Sequence, residues 1–135
     1  MGNRAVIGFE DTKGNRDMSS VGIYLHWNGG RDSVESFLKA AKGYGVRGGD
    51  SAYCIARLTQ IIGNFFGGTL SVGVDQVKNL DYDNYDNGLY WVNSNFEIVG
   101  REYEPKQEQD NYNLFESLSY LKEKNDEHFF EDSLR

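Results

Sequence analysis

Apolar residues recur along most of this chain at two spacings, two residues apart in some stretches and three to four in others, and the switches between them delimit the elements. Asn3 to Phe9 (NRAVIGF) is short, β-branched and bounded by turn residues, so it reads as a first strand, followed by a loop from Glu10 to Ser20. Val21 to Trp27 (VGIYLHW) again has strand composition. It sets Ile23, Leu25 and Trp27 on one face and Tyr24 and His26 on the other, and a hairpin of these two strands is expected. Asn28-Gly29-Gly30-Arg31 breaks the strand. Asp32, with Glu35 three positions on, then opens a helix in the manner of a capping box, with Val34, Phe37, Leu38 and Ala41 at i, i+3, i+4 and i+7 and Gly43 as its left-handed stop.

After the glycine-rich connector Gly43 to Gly49, Asp50 or Ser51 can cap a second and more apolar helix, which carries Cys54, Ile55, Leu58, Ile61, Ile62 and Phe65 and halts at Gly67-Gly68. Thr69 to Val74 alternates as a strand. An acidic, Asn-rich loop from Asp75 to Gly88 ends in Asn87-Gly88, a tight-hairpin signal. Leu89 to Val92 and Phe96 to Tyr103 read as strands paired around Asn93-Ser94-Asn95, and Pro105 marks the end of the sheet. Asn113 with Glu116 can cap a last helix bearing Leu114, Phe115, Leu118 and Leu121. The predicted fold is therefore α+β, a mostly antiparallel sheet of about five strands with two to three helices packed against it. Residues 1–124 form one domain and 125–135 a charged tail.

Composition narrows the function classes. A chain of 135 residues with 39% hydrophobic and 14% aromatic content can bury a core of its own. The single cysteine, Cys54, permits no internal disulfide, and no window approaches the ~18 apolar residues of a membrane span, so a soluble protein of the cytosol is expected. The net charge of −7 disfavours a general nucleic-acid binder. Its distribution adds more: residues 1–74 hold eight Lys/Arg against six Asp/Glu (+2), residues 75–135 six against fifteen (−9). An anionic ligand would suit the first half and a basic partner the second.

The densest constellation of chemistry is His26 to Ser33 (HWNGGRDS), where a strand end, two glycines and a helix start meet. Free N–H groups at the helix N-terminus, backbone made approachable by Gly29 and Gly30, and the forked guanidinium of Arg31 suit a phosphate. The candidate ligand set is Trp27, Asn28, Gly29, Gly30, Arg31 and Ser33, with Arg47 and Arg57 as further guanidiniums that could converge on the same anion. The bland alternative is a tight β-to-α turn with solvated arginines. The spacing fits neither a Walker loop nor a dinucleotide fingerprint. Asp81, Asp83 and Asp86 have the composition of a calcium loop without its ligand spacing, so a solvated acidic loop is the default there and contact with a basic groove the sharper alternative. No nucleophile, acid–base pair or metal-ligand motif emerges. His26 reads as a satisfied strand residue and Cys54 as an inert buried thiol, and neither a cofactor nor a metal is expected.

GNRAVI (Gly2 to Ile7), YLHWNGGRDSVESFL (Tyr24 to Leu38), IGNFFGG (Ile62 to Gly68) and FEIVGREY (Phe96 to Tyr103) together resemble a family of small uncharacterised proteins of phages and mobile elements of Gram-positive bacteria. The resemblance implies a setting, the host bacterial cytosol, and not a mechanism. By analogy of setting it suggests an anti-defence role. Two readings follow. In the first, the chain sequesters a phosphorylated small molecule such as a cyclic nucleotide immune signal, in a site that two protomers could share. In the second, an anti-CRISPR-type inhibitor docks Asp81, Asp83 and Asp86 on the basic nucleic-acid channel of an effector. Direct nucleic-acid binding and membrane association are expected of neither.

Overall fold

The computed structural model describes residues 2–67 and 72–104. The helix expected near Asn113, the charged tail and the first residues of the expected third strand lie outside them. Strands β1 (Ala5–Phe9) and β2 (Val21–Leu25) are followed by helices α1 (Arg31–Gly43) and α2 (Ser51–Phe66). Strand β3 (Val72–Gln76), a 3-10 turn over Val77–Asn79, β4 (Leu89–Val92) and β5 (Ile98–Glu102) complete the order. The five strands form one open sheet in the order β3-β2-β1-β4-β5, antiparallel at every pairing except β1 with β4. The fold is α+β with a mostly antiparallel sheet, as the spacing of apolar positions predicts.

The parallel pair departs from the sequential hairpins expected. After β3 at one edge the chain crosses the sheet's second face and re-enters beside β1, so Asn87-Gly88 is a strand entrance rather than a hairpin turn. Gly88 takes a left-handed φ of 71°, and its carbonyl accepts from the Val6 N–H at 2.9 Å. Strand β1 is consequently buried along its whole length. Its Ala5, Ile7 and Phe9 join Ile23, Leu25, Tyr90 and Val92 under the helices, packed against Phe37, Leu38, Leu58, Ile61 and Ile62. Full burial of each such large side chain contributes roughly 1.5–3 kcal/mol. On the other face Val6, Leu89 and Trp91 are covered by Val77, Leu80 and Tyr82, so the acidic loop, whose Asp81 and Asp83 stay exposed, also serves as a lid over this smaller cluster.

The helix ends differ in detail from the sequence reading. Gly30, with extended φ and ψ and no side-chain cap, is the N-cap of α1, which places Asp32 inside the first turn instead of before it. The left-handed stop is Gly45, not Gly43. Gly45 has φ 75° and donates to Lys42 O at 3.1 Å while Val46 donates to Ala41 O at 3.0 Å, the paired bonds of a Schellman motif. In α2, Asp50 does cap, accepting from the Tyr53 N–H at 3.3 Å, and Gly67 ends the helix at φ 68°.

Candidate functional site

The turn between β2 and α1 is built chiefly for the fold. Asn28 accepts a left-handed φ of 58°, and Gly29 and Gly30 are both buried. The Gly29 N–H donates to Asn3 O at 2.8 Å and its carbonyl accepts from the Tyr90 hydroxyl at 2.7 Å. A Cβ at Gly29 would stand 2.5 Å from Asn3 O and 2.7 Å from Ala5 Cβ, so glycine is required here by the neighbouring backbone. At the helix start the buried Asp32 carboxylate accepts the Ser33 N–H at 2.9 Å. One of the N–H groups expected to face an anion at this N-terminus is thus taken by the protein's own side chain. Trp27 is 42% exposed beyond the strand end rather than in the core, edge-on to His26, whose Nδ1 lies 2.9 Å from the Tyr24 hydroxyl.

Arg31 itself leaves the turn. Its Nε donates to Glu35 at 2.9 Å, both side chains about one third exposed, and the pair opens on a cavity of about 370 Å³ between α1 and the β4–β5 turn. Lys39 and Lys42 line the same cavity. Residues 31, 35, 39 and 42 fall on one flank of a 3.6-residue helix, beside the apolar face that carries Leu38. Across from them stand Phe96, Glu97 and Ile98. The Asn93 carboxamide oxygen shapes this wall by accepting from the N–H groups of Asn95 and Glu97 at 2.9 and 3.0 Å, and Phe96 turns inward at a φ of 58°. Three cations and two carboxylates leave the pocket one charge positive, with an apolar strip at one side. That combination accommodates a small anion carrying an apolar or aromatic moiety.

Arg47 and Arg57 do converge, but on Tyr53 rather than with Arg31. Their guanidinium carbons stand 5.1 and 5.0 Å from the centre of the Tyr53 ring. Both side chains belong to exposed residues, and neither meets a carboxylate among the described residues. Two like charges beside one ring repel each other, and an anion at this platform would relieve the repulsion. The connector that bears Arg47 packs Gly48 closely against the Ser94 carbonyl, next to the Asn95 that lines the α1 cavity. The platform and the cavity therefore flank one turn.

The acidic segment divides into two kinds of residue. Asp86 is 7% exposed, and its Oδ2 accepts from the Arg4 backbone N–H at 3.0 Å and from Arg4 Nε at 2.9 Å, which holds the Arg4 guanidinium above its ordinary pKa. Asp81 reaches the same guanidinium at 3.2 Å from an exposed position, and Asp83 is exposed. Asn84, buried to 2%, organises the turn: its Oδ1 accepts from the N–H groups of Asp86, Asn87 and Gly88, and its Nδ2 donates to Asp81 O and Gly88 O. Among the described residues no group of three or more His, Cys, Asp or Glu side chains could hold a metal ion, and no helix is long and apolar enough to cross a membrane.

The chain matches no protein-family model, no curated protein and no solved structure. Its chemistry must therefore be read from its own residues. Cys54 is 1% exposed, and burial pushes its thiol pKa up to about 11, which suits a packing residue and not a nucleophile. Lys39 and Lys42 belong to no motif at the turn, although their spacing from Arg31 and Glu35 puts all four on one helix flank. Phe96 carried no such signal, because its inward direction depends on a left-handed turn residue.

Proposed function

We propose that this protein binds and sequesters a phosphorylated small molecule, with a cyclic nucleotide immune signal as the leading ligand class, and acts without turnover as a phage-encoded anti-defence protein in the bacterial cytosol. The observation that carries the reading is the α1 cavity, where Arg31, Lys39 and Lys42 open beside Phe96 and Ile98 on a protein of net charge −7. Local positive charge on an acidic chain marks where an anion is drawn. The Arg47–Tyr53–Arg57 platform on the other side of the Ser94 turn supplies a second phosphate contact. A pocket of about 370 Å³ lies at the low end of the range for small-molecule sites, so a dinucleotide would extend from it to the platform or to a second copy of the chain. Asn28, Gly29 and Gly30 then act by building the turn that carries Arg31, and not by touching the ligand.

The deciding experiment is to purify the protein from defence-active bacteria, denature it and identify the released small molecules by mass spectrometry. A stoichiometric phosphorylated compound is expected, lost in Arg31→Ala and in Lys39→Ala/Lys42→Ala. A protein that still protects phage but releases nothing would refute the sequestering reading. Weight would then pass to an inhibitor of a basic effector channel, for which the exposed Asp81 and Asp83 on a rigidly anchored loop are the favouring observation. Asp81→Asn with Asp83→Asn tests that reading, whereas Asp86 must be left intact because it anchors the loop.

A further inference from the structure

A second and larger cavity, about 730 Å³, lies on the same helix-covered sheet face, on the β2–β3 side where α2 packs. Its floor is apolar: Phe9 and Ile55, both nearly buried, meet Val21 and Val74, which are 41% and 50% exposed. Val74 pairs with Ile23, whose side of β2 is also that of Val21, so the face carrying the core continues past the point where α2 stops covering it. The gap exists because α2 presents Ala52, Ala56 and Thr59 there, and the Thr59 hydroxyl is turned back to Ile55 O at 2.7 Å. Larger side chains at these positions would have closed it.

The lining side chains that carry charge are all acidic. Glu10 is matched by Arg16 at 2.7 Å and Asp11 lies in the field of Lys13, which stands outside the lining, so Asp11 is partly and Asp17 wholly left for a guest. The Asp11 carboxylate accepts from the N–H groups of Asn15 and Lys13 at 2.8 and 2.9 Å and from the Asn15 amide at 3.1 Å, and these donors, Asn15 foremost, hold it below the ordinary carboxylate range. Asp17 accepts from the Ser19 N–H through one oxygen at 2.8 Å and so keeps the other for a guest. The sign selects among occupants. Residues 105–135 hold eight Asp/Glu against four Lys/Arg, a net of −4, and are the wrong charge for this rim.

We infer that this cavity is a binding site for small amphiphilic cations, the apolar body lying on Phe9, Val21, Ile55 and Val74 and a protonated amine resting between Asp11 and Asp17. It is separate from the α1 cavity, takes the opposite charge, and does not depend on the phosphorylated-ligand reading. The test is NMR titration of the full chain with octylammonium, 1-octanol and octanoate at neutral pH. Octylammonium is expected to shift the amides of Asp11, Asp17, Val21 and Ala56 with an affinity at least tenfold above that of octanoate. Raising the salt concentration should narrow that margin, because the rim is exposed. Asp11→Asn with Asp17→Asn should remove the preference for the amine while leaving octanol binding unchanged. Ala56→Trp, on an exposed helix position that tolerates a large side chain, should abolish all three. Equal affinity for octylammonium and octanoate, or shifts that fall elsewhere, would overturn the inference. So would a wild-type chain that ignores the amine while Ala56→Trp shifts the resonances of residues 105–135, since the occupant would then be the chain itself.

Discussion

Replacing Asn84 by alanine tests whether the acidic segment is a structural cover or a solvated loop. The side chain is 2% exposed and takes part in five hydrogen bonds, three accepted by Oδ1 and two donated by Nδ2. A buried hydrogen bond has a net worth of about 1 kcal/mol, and leaving its partner unsatisfied costs about 1–3 kcal/mol. The truncated site is near the surface, so water can reach some of the abandoned groups. An overall loss of about 3–4 kcal/mol is the working figure. For a domain of this size, 1 kcal/mol moves the melting midpoint by about 4 °C, so calorimetry should find Asn84→Ala lower by more than 10 °C. Asn84→Asp keeps the acceptor for three N–H groups but sets a carboxylate against two carbonyls, and should lose roughly half as much. That variant should recover stability on acidification, when the protonated group can donate again. An Asn84→Ala protein melting within 3 °C of wild type, or an Asn84→Asp protein as damaged as Asn84→Ala, would refute the assignment of this side chain as the organiser of the loop.

Glu35→Gln releases Arg31 from its partner and removes one negative charge from the α1 cavity. The pair is partly exposed and worth under about 1 kcal/mol, so the fold should hold while affinity for the recovered ligand rises about 3- to 10-fold by calorimetric titration. Weaker binding would mean that Arg31 needs Glu35 to hold its position. Gly29→Ala forces a Cβ onto Asn3 O and Ala5, and chemical denaturation should show a loss of about 2–3 kcal/mol. An unchanged midpoint would show that the β2–α1 turn yields where the geometry says it cannot. Cys54 has a folded pKa raised above its unfolded value, so its contribution to stability is complete below about pH 9 and declines as pH climbs towards 11, where the unfolded thiol ionises first. The native thiol should accordingly resist a disulfide reagent at pH 8, and Cys54→Ala should flatten part of the alkaline fall in stability.

The elements that sequence spacing located best are those whose periodicity is enforced by a single buried face. α2 is the clearest case, since Cys54, Ile55, Leu58, Ile61 and Ile62 are all buried. β1 and β2 were legible because hydrophobic runs bounded by polar turns have few other solutions. The parallel β1–β4 pairing was not legible, because nothing in NRAVIGF or LYWV states which neighbour it will take, and the Asn87-Gly88 dipeptide fits a left-handed step of either kind. The helix start was misread by two residues: Asp32 has the composition of a cap, but Gly30 already supplies the extended backbone and the Asp32 side chain folds onto its own following N–H. At the candidate site the cations were visible and their partners were not. That Arg31 meets Glu35 follows from their i, i+4 spacing, whereas the pairing of Arg47 and Arg57 with Tyr53 depends on how the glycine connector turns before α2.

The central position of the parallel pair bears on how the chain is made. β1 leaves a ribosome before every other strand of the sheet, yet the strand that completes its pairing, β4, lies about eighty residues later, after both helices and β3. Until Leu89 to Val92 emerge, β1 is an unpaired margin of a three-stranded sheet, with a row of backbone groups open to any extended segment nearby. Pairings of such long sequence separation close slowly. The early chain is thus a template for aggregation that its own later residues extinguish, and a message cut short before Leu89 would yield a sticky fragment and not a smaller domain.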